Sequence, residues 1–337
     1  MSGVIPLSKI QYGRETVVGT EAEATNILRV EGGFLEDIHE FMRVPENVGL
    51  LVDTDRTIDP AVAAALTIPE NNASFEQLIH ILEMGMKTIS GVKDGAGSGY
   101  IYTYDMPTTA QLTPKTYTFE GGDDQQAMVM VGAFADEFTI SGKVREPWKF
   151  SAGLIGQKAE NTTFTAGISI PDISEMLFQN SKLYINDAAS GFGATLIANT
   201  LLGFSLKVKT GYVARFTAGG TLYYSYLKQT KPEFTLDLTV EHNATAQAEI
   251  TKGRAMTARL VRILCEGPAL ALAGTSYSKK SCIIDLAGKY VGIPKIEDED
   301  NSSVMTFTLK GGYNSTISTM GKLVVVNEIT DWDEELS

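Results

Sequence analysis

Apolar and polar residues alternate with a period of two through much of this chain. In residues 204–209 and 234–241, every second residue is apolar and the residues between them are polar. The same alternation occurs in residues 100–104, 134–141, 148–152 and 305–309. This pattern is typical of antiparallel strands with one face packed on a core and the other in water. The sequence therefore predicts a mainly β fold.

Helical signals are few. Residues 74–86 place an apolar stripe on one helical face, and Ser74 with Gln77 three residues later fits a capping box. Residues 244–251 predict a second helix, which follows Asn243, a favourable N-cap, and ends near Gly253. We therefore expect two helices in the whole chain.

Residues 256–266 suit either a helix or a strand, because apolar residues recur in both patterns. We favour a strand, since Gly267 and Pro268 would then end it as a turn. Other strands are predicted near residues 24–30, 48–56, 62–68, 182–185, 281–286 and 322–327. Long irregular loops are predicted at residues 31–47, 90–99, 211–231 and 288–303, and a solvated acidic turn at residues 297–300.

The order of these elements suggests two tandem modules, residues 1–160 and 161–337. Each module would be a β-barrel or β-sandwich with one flanking helix and long loops. Both halves give strands, then one helix, then more strands. No residue-by-residue repeat accompanies this order, so the duplication is a hypothesis. The boundary would lie in residues 157–180, which are polar and rich in threonine.

The charge balance limits the function. The chain has 28 Lys and Arg against 41 Asp and Glu, a formal net charge of −13. Proteins that grip nucleic acid concentrate cations on one face, so we expect no phosphate-binding function. The N-terminus shows no secretion signal and no apolar run is long enough for a membrane span, which predicts synthesis in a reducing cytoplasm. Cys265 and Cys282 could pair, although buried free cysteines are common.

No constellation of catalytic residues is visible. His39, His80 and His242 lack partners at metal-ligand spacing, and we expect His80 at the border of the first helix and His242 in a turn. The glycine-rich stretches 95–99 and 191–193 do not open a helix as a dinucleotide loop would. Asp123 and Asp124 predict a hairpin turn. We therefore predict no enzyme and no catalytic, cofactor-binding or metal-binding residues.

Several segments of the sequence form a recognisable pattern. Residues 10–20, IQYGRETVVGT, and residues 35–37, leading into 48–49, resemble the start of phage tail tube proteins. Residues 132–142, GAFADEFTISG, with 148–152, WKFSA, are similar to their central strand pair. Residues 284–290 and 304–313 are similar to their closing strands.

The resemblance implies a structural subunit of the virion tail. Copies would form rings, as a three-chain ring imitating six-fold symmetry or a plain hexamer, and the rings would stack into a DNA conduit. Tail terminator, tape measure and tail tip proteins would be its partners, and DNA would pass without specific binding. The net acidity could line the lumen with repelling charge. Residues 31–47 and 211–231 would contact the next ring, so deleting residues 33–42 should block polymerisation.

Two alternatives remain open from the sequence. One is another virion protein, such as a decoration or tail terminator protein. The other is a carbohydrate-binding β-sandwich adhesin, in which Tyr100, Tyr102 and Tyr104 with Tyr223, Tyr224 and Tyr226 would form a surface for stacking sugars.

Overall fold

Antiparallel strands dominate the computed structural model, which describes residues 4–299 and 301–330. In chain order the strands are Lys9–Arg14 (β1), Asn26–Leu28 (β2), Leu35–His39 (β3), Met42–Arg43 (β4), Thr57–Ile58 (β5), Val62–Asn72 (β6), Val92–Lys93 (β7), Tyr100–Asp105 (β8), Tyr117–Gly122 (β9), Ala127–Lys143 (β10), Lys149–Gly156 (β11), Lys158–Thr162 (β12), Ser181–Asp187 (β13), Leu196–Ile197 (β14), Leu201–Lys209 (β15), Tyr212–Arg215 (β16), Tyr226–Gln229 (β17), Glu233–Glu241 (β18), Arg259–Ala269 (β19), Lys279–Tyr290 (β20), Ile296–Glu299 (β21), Ser302–Gly311 (β22) and Gly321–Asn327 (β23). The α-helices are Leu78–Gly85 (α1) and Ala244–Arg254 (α2), and short 3-10 turns occur at Ile5–Leu7, Phe178–Asn180 and Ala188–Ser190. The mainly β prediction with two helices is confirmed.

One antiparallel ladder passes through both halves of the chain. Its strand order is β3, β6, β11, β10, β15, β18, β22 and β21. The first part of β10 leaves this ladder and pairs with β9 and β12, and β9 continues to β1 and β2. In the second half, β20 pairs with β19 and β23. Strand β19 continues to β13 and β14, and β23 continues to β8 and β7. Within the described residues no path of pairings returns to its start, so the fold is a sandwich rather than a closed barrel.

A bend in β10 lets one strand serve two sheets. The register with β9 shifts between Met130 and Ala133, and Gly132 between them has a φ of 69°. That conformation favours glycine, and such an irregularity bends a strand. The side chain of Glu15 holds the bend by accepting a hydrogen bond from the Gly132 N–H at 2.7 Å.

The largest of three apolar clusters extends from Ile10 near one end of the chain to Ile329 near the other, and two small clusters lie apart from it. All eight residues of α1 are buried within it. The helix begins at Leu78, four residues later than expected, because residues 75–77 form a turn. Ser74 accepts the Gln77 N–H at 3.2 Å as the capping box predicts, but the Gln77 amide donates to the carbonyl of Ile27 at 2.8 Å instead of returning to Ser74.

The second helix follows the sequence closely. The side chain of Asn243 accepts hydrogen bonds from the N–H groups of Thr245 and Ala246, as a good N-cap should. The ambiguous segment after it forms β19, which confirms the strand. Gly267 and Pro268 do not end this strand as predicted, because they lie inside it at a register shift between Glu266 and Ala269.

Several strand and loop predictions were wrong. The strand predicted at residues 48–56 does not form, and nearly all side chains of this segment face solvent. The predicted loop 31–47 contains β3 and β4, and the predicted loop 211–231 contains the β16–β17 hairpin. The acidic residues 297–299 belong to β21 and not to a turn, and Asp300 lies outside the described residues.

Candidate functional site

The long ladder has one face on the core and one open face. On β10, Phe138 and Ile140 are buried, whereas Thr139 and Ser141 between them face outward. β15, β18 and β22 continue the same alternation with Ser205, Thr235, Thr239, Thr306 and Thr308 outward. Two shallow depressions of about 290 and 460 Å³ lie on this open face. The face is a broad, hydroxyl-rich surface with shallow depressions rather than an enclosed apolar pocket.

Four lysines of the open face pair with carboxylates. Four ion pairs link strands or hairpins across it, namely Lys143–Glu299 at 2.8 Å, Lys149–Glu70 at 3.2 Å, Lys207–Asp237 at 3.5 Å and Lys310–Glu233 at 3.7 Å. A phosphate group would have to compete with these carboxylates for the same ammonium groups. The face therefore mixes both signs of charge.

The ladder ends in two strands that each use one edge. β3 pairs with β6, β21 pairs with β22, and neither has a partner strand on its other edge in the described part of the chain. Apolar side chains near these edges face solvent: Phe34 is 55% exposed, Ile38 38%, Ile293 44% and Ile296 57%. A free edge presents unpaired N–H and C=O groups to any chain that approaches it. These two edges are the strongest candidates for contacts between copies.

The segment between β3 and β6 presents a second apolar surface. The small β4–β5 hairpin pairs Met42 with Ile58. Beyond it, Leu50 is 64% exposed, Leu51 105% and Val52 73%. Contiguous exposed apolar residues mark interaction surfaces. We call residues 44–56 the apolar loop.

A buried polar cluster joins β1, α1 and β9. The carboxylate of Glu83 accepts two hydrogen bonds from Arg14, at 2.6 and 3.0 Å, and one from the Tyr117 hydroxyl at 2.7 Å. Burial raises the pKa of Glu83 despite the neighbouring Arg14 guanidinium. His80, which we expected at the helix border, is buried and lies 3.1 Å from the Tyr117 oxygen. Burial and the charge of Arg14 lower the pKa of His80 to about 3.

The acid–base residues of this cluster, Glu83, His80 and Tyr117, have almost no access to solvent. Glu83 is 0% exposed, His80 3% and Tyr117 0%. A catalytic acid or base must reach a substrate proton, and these groups reach one another instead. The cluster therefore ties three elements of the fold together.

The other histidines and the cysteines form no site. His39 hydrogen-bonds to Asp59, a contact that raises the pKa of His39, and it lies 3.3 Å from Asp37. His242 follows β18 and contacts Gln247, as expected of a turn residue. Cys265 and Cys282 are buried, free and opposite each other on β19 and β20. Within residues 4–299 and 301–330, no group of three His, Cys, Asp or Glu side chains is placed to hold a metal ion.

Three of the six tyrosines proposed as a sugar-binding surface are buried in the core. Tyr102 and Tyr104 are 1% and 0% exposed, and their hydroxyls donate to the carbonyls of Ile329 and Ile79 at 2.8 and 2.9 Å. Tyr224 is also buried and bonds to the carbonyl of Gly132. The stacking platform required by the carbohydrate-binding alternative does not form.

Both glycine-rich stretches are loops between strands. Asp94, at the start of the first, accepts backbone N–H groups of Ser276 and Tyr277 at 3.0 and 2.7 Å. Burial would raise the pKa of Asp94, but these donors outweigh it and hold the pKa below its usual range. Asp123 accepts the N–H groups of Gln125 and Gln126, which confirms the hairpin turn between β9 and β10.

Sequence reasoning missed both free edges. β3 was hidden because Glu36, Asp37 and His39 break the apolar alternation, and β21 was hidden by its acidic residues. Exposed charge is common on edge strands, where it discourages unwanted pairing. In the sequence, both edge strands are therefore recognisable as short charged segments that lie next to strands with clear apolar alternation.

Most of the sequence matches a known protein family. Residues 7–272, well over half of the chain, match the family described as Phage tail tube protein. No curated protein matches the chain. Neither helix of the described residues has the length and apolar character needed to cross a membrane. The chain belongs to the phage tail tube protein family and is a structural subunit of a bacteriophage tail tube.

Proposed function

We propose that copies of this protein join side by side into rings, and that the rings stack into a hollow tube through which DNA leaves the capsid. The observation that carries this proposal is the long ladder, which is open on one face and free at both edges. A curved sheet with two free edges can continue into the next copy, and a head-to-tail contact closes into a ring when the rotation allows. The open face would then line the lumen.

The chain would contribute two modules to each ring, residues 1–160 and 161–337. In the first module, Leu35 pairs with Leu66 and Leu66 with Leu154. In the second, Leu206 pairs with Leu236 and Leu236 with Leu309. Two equivalent four-stranded units in one chain favour a ring of three chains that imitates six-fold symmetry. A plain hexamer is the alternative, and the mass of an isolated ring distinguishes three copies from six.

The apolar loop is the proposed contact between stacked rings. Its leucines and valines face solvent in the single chain, and burying them against the next ring would remove apolar surface from water. The deletion of residues 33–42 is not a clean test of stacking, because it removes β3 and the buried Leu35. Substitutions within residues 50–52 leave every strand in place.

The ion pairs of the open face would let DNA pass without being held. Each of Lys143, Lys149 and Lys207 already has a carboxylate within 3.5 Å. Affinity for DNA grows with the number of cations that displace its counterions, so paired lysines contribute little. We further propose that the protein has no enzymatic activity. It would be made in the host cytoplasm and built into the virion tail with the tape measure, tail tip and tail terminator proteins.

Sedimentation and negative-stain electron microscopy of the purified protein test the proposal. We expect rings at low concentration and open-ended tubes at high concentration. Rings that never stack would indicate a terminator-like role. A monomer at all concentrations would contradict the proposal.

A further inference from the structure

The junction between the two halves of the chain specifies a junction between copies. Within the chain, β10 of the first half pairs with β15 of the second over seven residue pairs, from Glu137–Lys209 to Lys143–Gly203. This contact joins two equivalent four-stranded units edge to edge. The units at the ends of the ladder have the matching edges free, β21 at one end and β3 at the other. We infer that residues 293–297 of one copy, which lead into β21, pair with residues 34–38 of the next, which include most of β3, in the register of the β10–β15 junction, an inference that rests on the proposed ring.

The register follows from equivalent residues. Leu154 on β11 and Leu309 on β22 occupy the same position, because each is two residues before the closing glycine, Gly156 or Gly311. Leu154 pairs with Leu66, which pairs with Leu35. Leu309 pairs with Leu236, which pairs with Leu206. Leu35 and Leu206 are therefore equivalent positions.

The register of β21 follows from the same comparison of equivalent residues. Four residues before these leucines, Phe150 pairs with Ile140 and Met305 pairs with Ile296, so Ile140 and Ile296 are equivalent. In the chain, Ile140 lies opposite Leu206. Ile296 of one copy therefore lies opposite Leu35 of the next.

This register gives chemically sensible neighbours. Antiparallel counting from the Ile296–Leu35 pair places Lys295 opposite Glu36, which joins opposite charges. It also places Ile293 opposite Ile38, and these side chains are 44% and 38% exposed in the single chain. On the open face, Phe34 falls opposite Glu297, so the phenyl ring, 55% exposed, gains a neighbouring strand. The contact would cover the apolar side chains that both edges leave in water.

One contact of the single chain involves the same hairpin. Glu299, at the end of β21, pairs with Lys143 at 2.8 Å, and the two side chains are 37% and 59% exposed. An exposed ion pair contributes little to stability. The outer edge of β21 therefore remains available to a second copy.

Disulfide trapping between copies tests the register. Directly opposed residues of an antiparallel pair have Cα atoms about 4.5–5.5 Å apart, within reach of a disulfide, whereas diagonal neighbours are about 7–8 Å apart. F34C protein is mixed with E297C protein, and E36C protein with K295C protein. The matched control mixes E36C with E297C, which the register places diagonally. All four positions are exposed, and the native cysteines are buried.

We expect both opposed mixtures to give a disulfide-linked dimer on non-reducing gels, with at least tenfold more product than the diagonal mixture. Circular dichroism checks that each variant is folded, and microscopy checks that each mixture assembles. Tubes that form without cross-linking at the opposed pairs, or with equal cross-linking at the diagonal pair, would overturn the register and leave the proposed function standing. Wild-type protein that forms no rings would overturn both.

Discussion

Replacing Leu51 with serine should block tube growth without weakening the fold. Leu51 is 105% exposed in the single chain, so it contributes no packing to the core. We expect the free energy of unfolding of L51S to stay within about 0.5 kcal/mol of the wild type, as for other surface substitutions. Burying a leucine side chain is worth about 1.5–3 kcal/mol, so each loop that docks on the next ring would lose about 2 kcal/mol.

The loss multiplies around a ring. About 2 kcal/mol at each of three loops gives about 6 kcal/mol per ring contact, or roughly 10⁴-fold in the association constant. Urea denaturation measures the stability of the subunit, and sedimentation with negative-stain microscopy measures rings and tubes. The expected result is folded L51S protein that forms rings but no tubes at concentrations where the wild type polymerises.

A matched control uses Leu272, another solvent-facing leucine, which is 58% exposed and lies outside the apolar loop. L272S should polymerise like the wild type. The reasoning is refuted if L51S forms tubes as long as those of the wild type, because the apolar loop would then not be the stacking contact.

Three further predictions concern the stability of the subunit. Lowering the pH from 7 to 5 should reduce the free energy of unfolding by about 2 kcal/mol through His80, because the unfolded histidine binds a proton near its ordinary pKa while the folded one, with a pKa of about 3, does not. Urea denaturation at both pH values should show that H80N loses about 2 kcal/mol less stability than the wild type. An equal loss in both proteins would contradict the assignment. R14M should destabilise the fold by about 3 kcal/mol, because it leaves the carboxylate of Glu83, 0% exposed, without its cation. The double variant R14M/E83M should recover part of that loss in the same assay. No recovery would contradict a stabilising role for the Arg14–Glu83 ion pair. G142A should cost about 2 kcal/mol, because its Cβ would lie 2.7 Å from Phe204 and 3.0 Å from Trp148; G153A, whose nearest contact is Glu137 at 3.6 Å, should be neutral in thermal unfolding.

Strands with clean alternation were predictable from the sequence. β15 and β18 keep apolar residues on one face throughout, because the core contacts that whole face. The cap of α2 was equally visible, since Asn243 has a local physical role that does not depend on the rest of the fold. These elements are specified by patterns within a few residues.

The functional edges were not predictable in the same way. β3 has one buried residue, Leu35, followed by four exposed ones, so its strand state depends on pairing with the distant β6. β21 has a single apolar residue, Ile296, before its acidic run. The reverse error occurred at residues 48–56, where the sequence predicted a strand but no strand forms and most side chains face solvent. Apolar residues kept for contacts between copies look like core residues in the sequence of one chain.

The central claim is that copies join through the free edges of the long ladder, with its hydroxyl-rich face turned inward. A cryo-electron microscopy reconstruction of the assembled tube tests it most directly. The account predicts a continuous sheet around the lumen, in which Thr139, Ser205 and Thr306 face the channel and β21 of each copy lies beside β3 of the next. A tube whose channel is lined by another surface, or purified protein that yields only monomers, would contradict it.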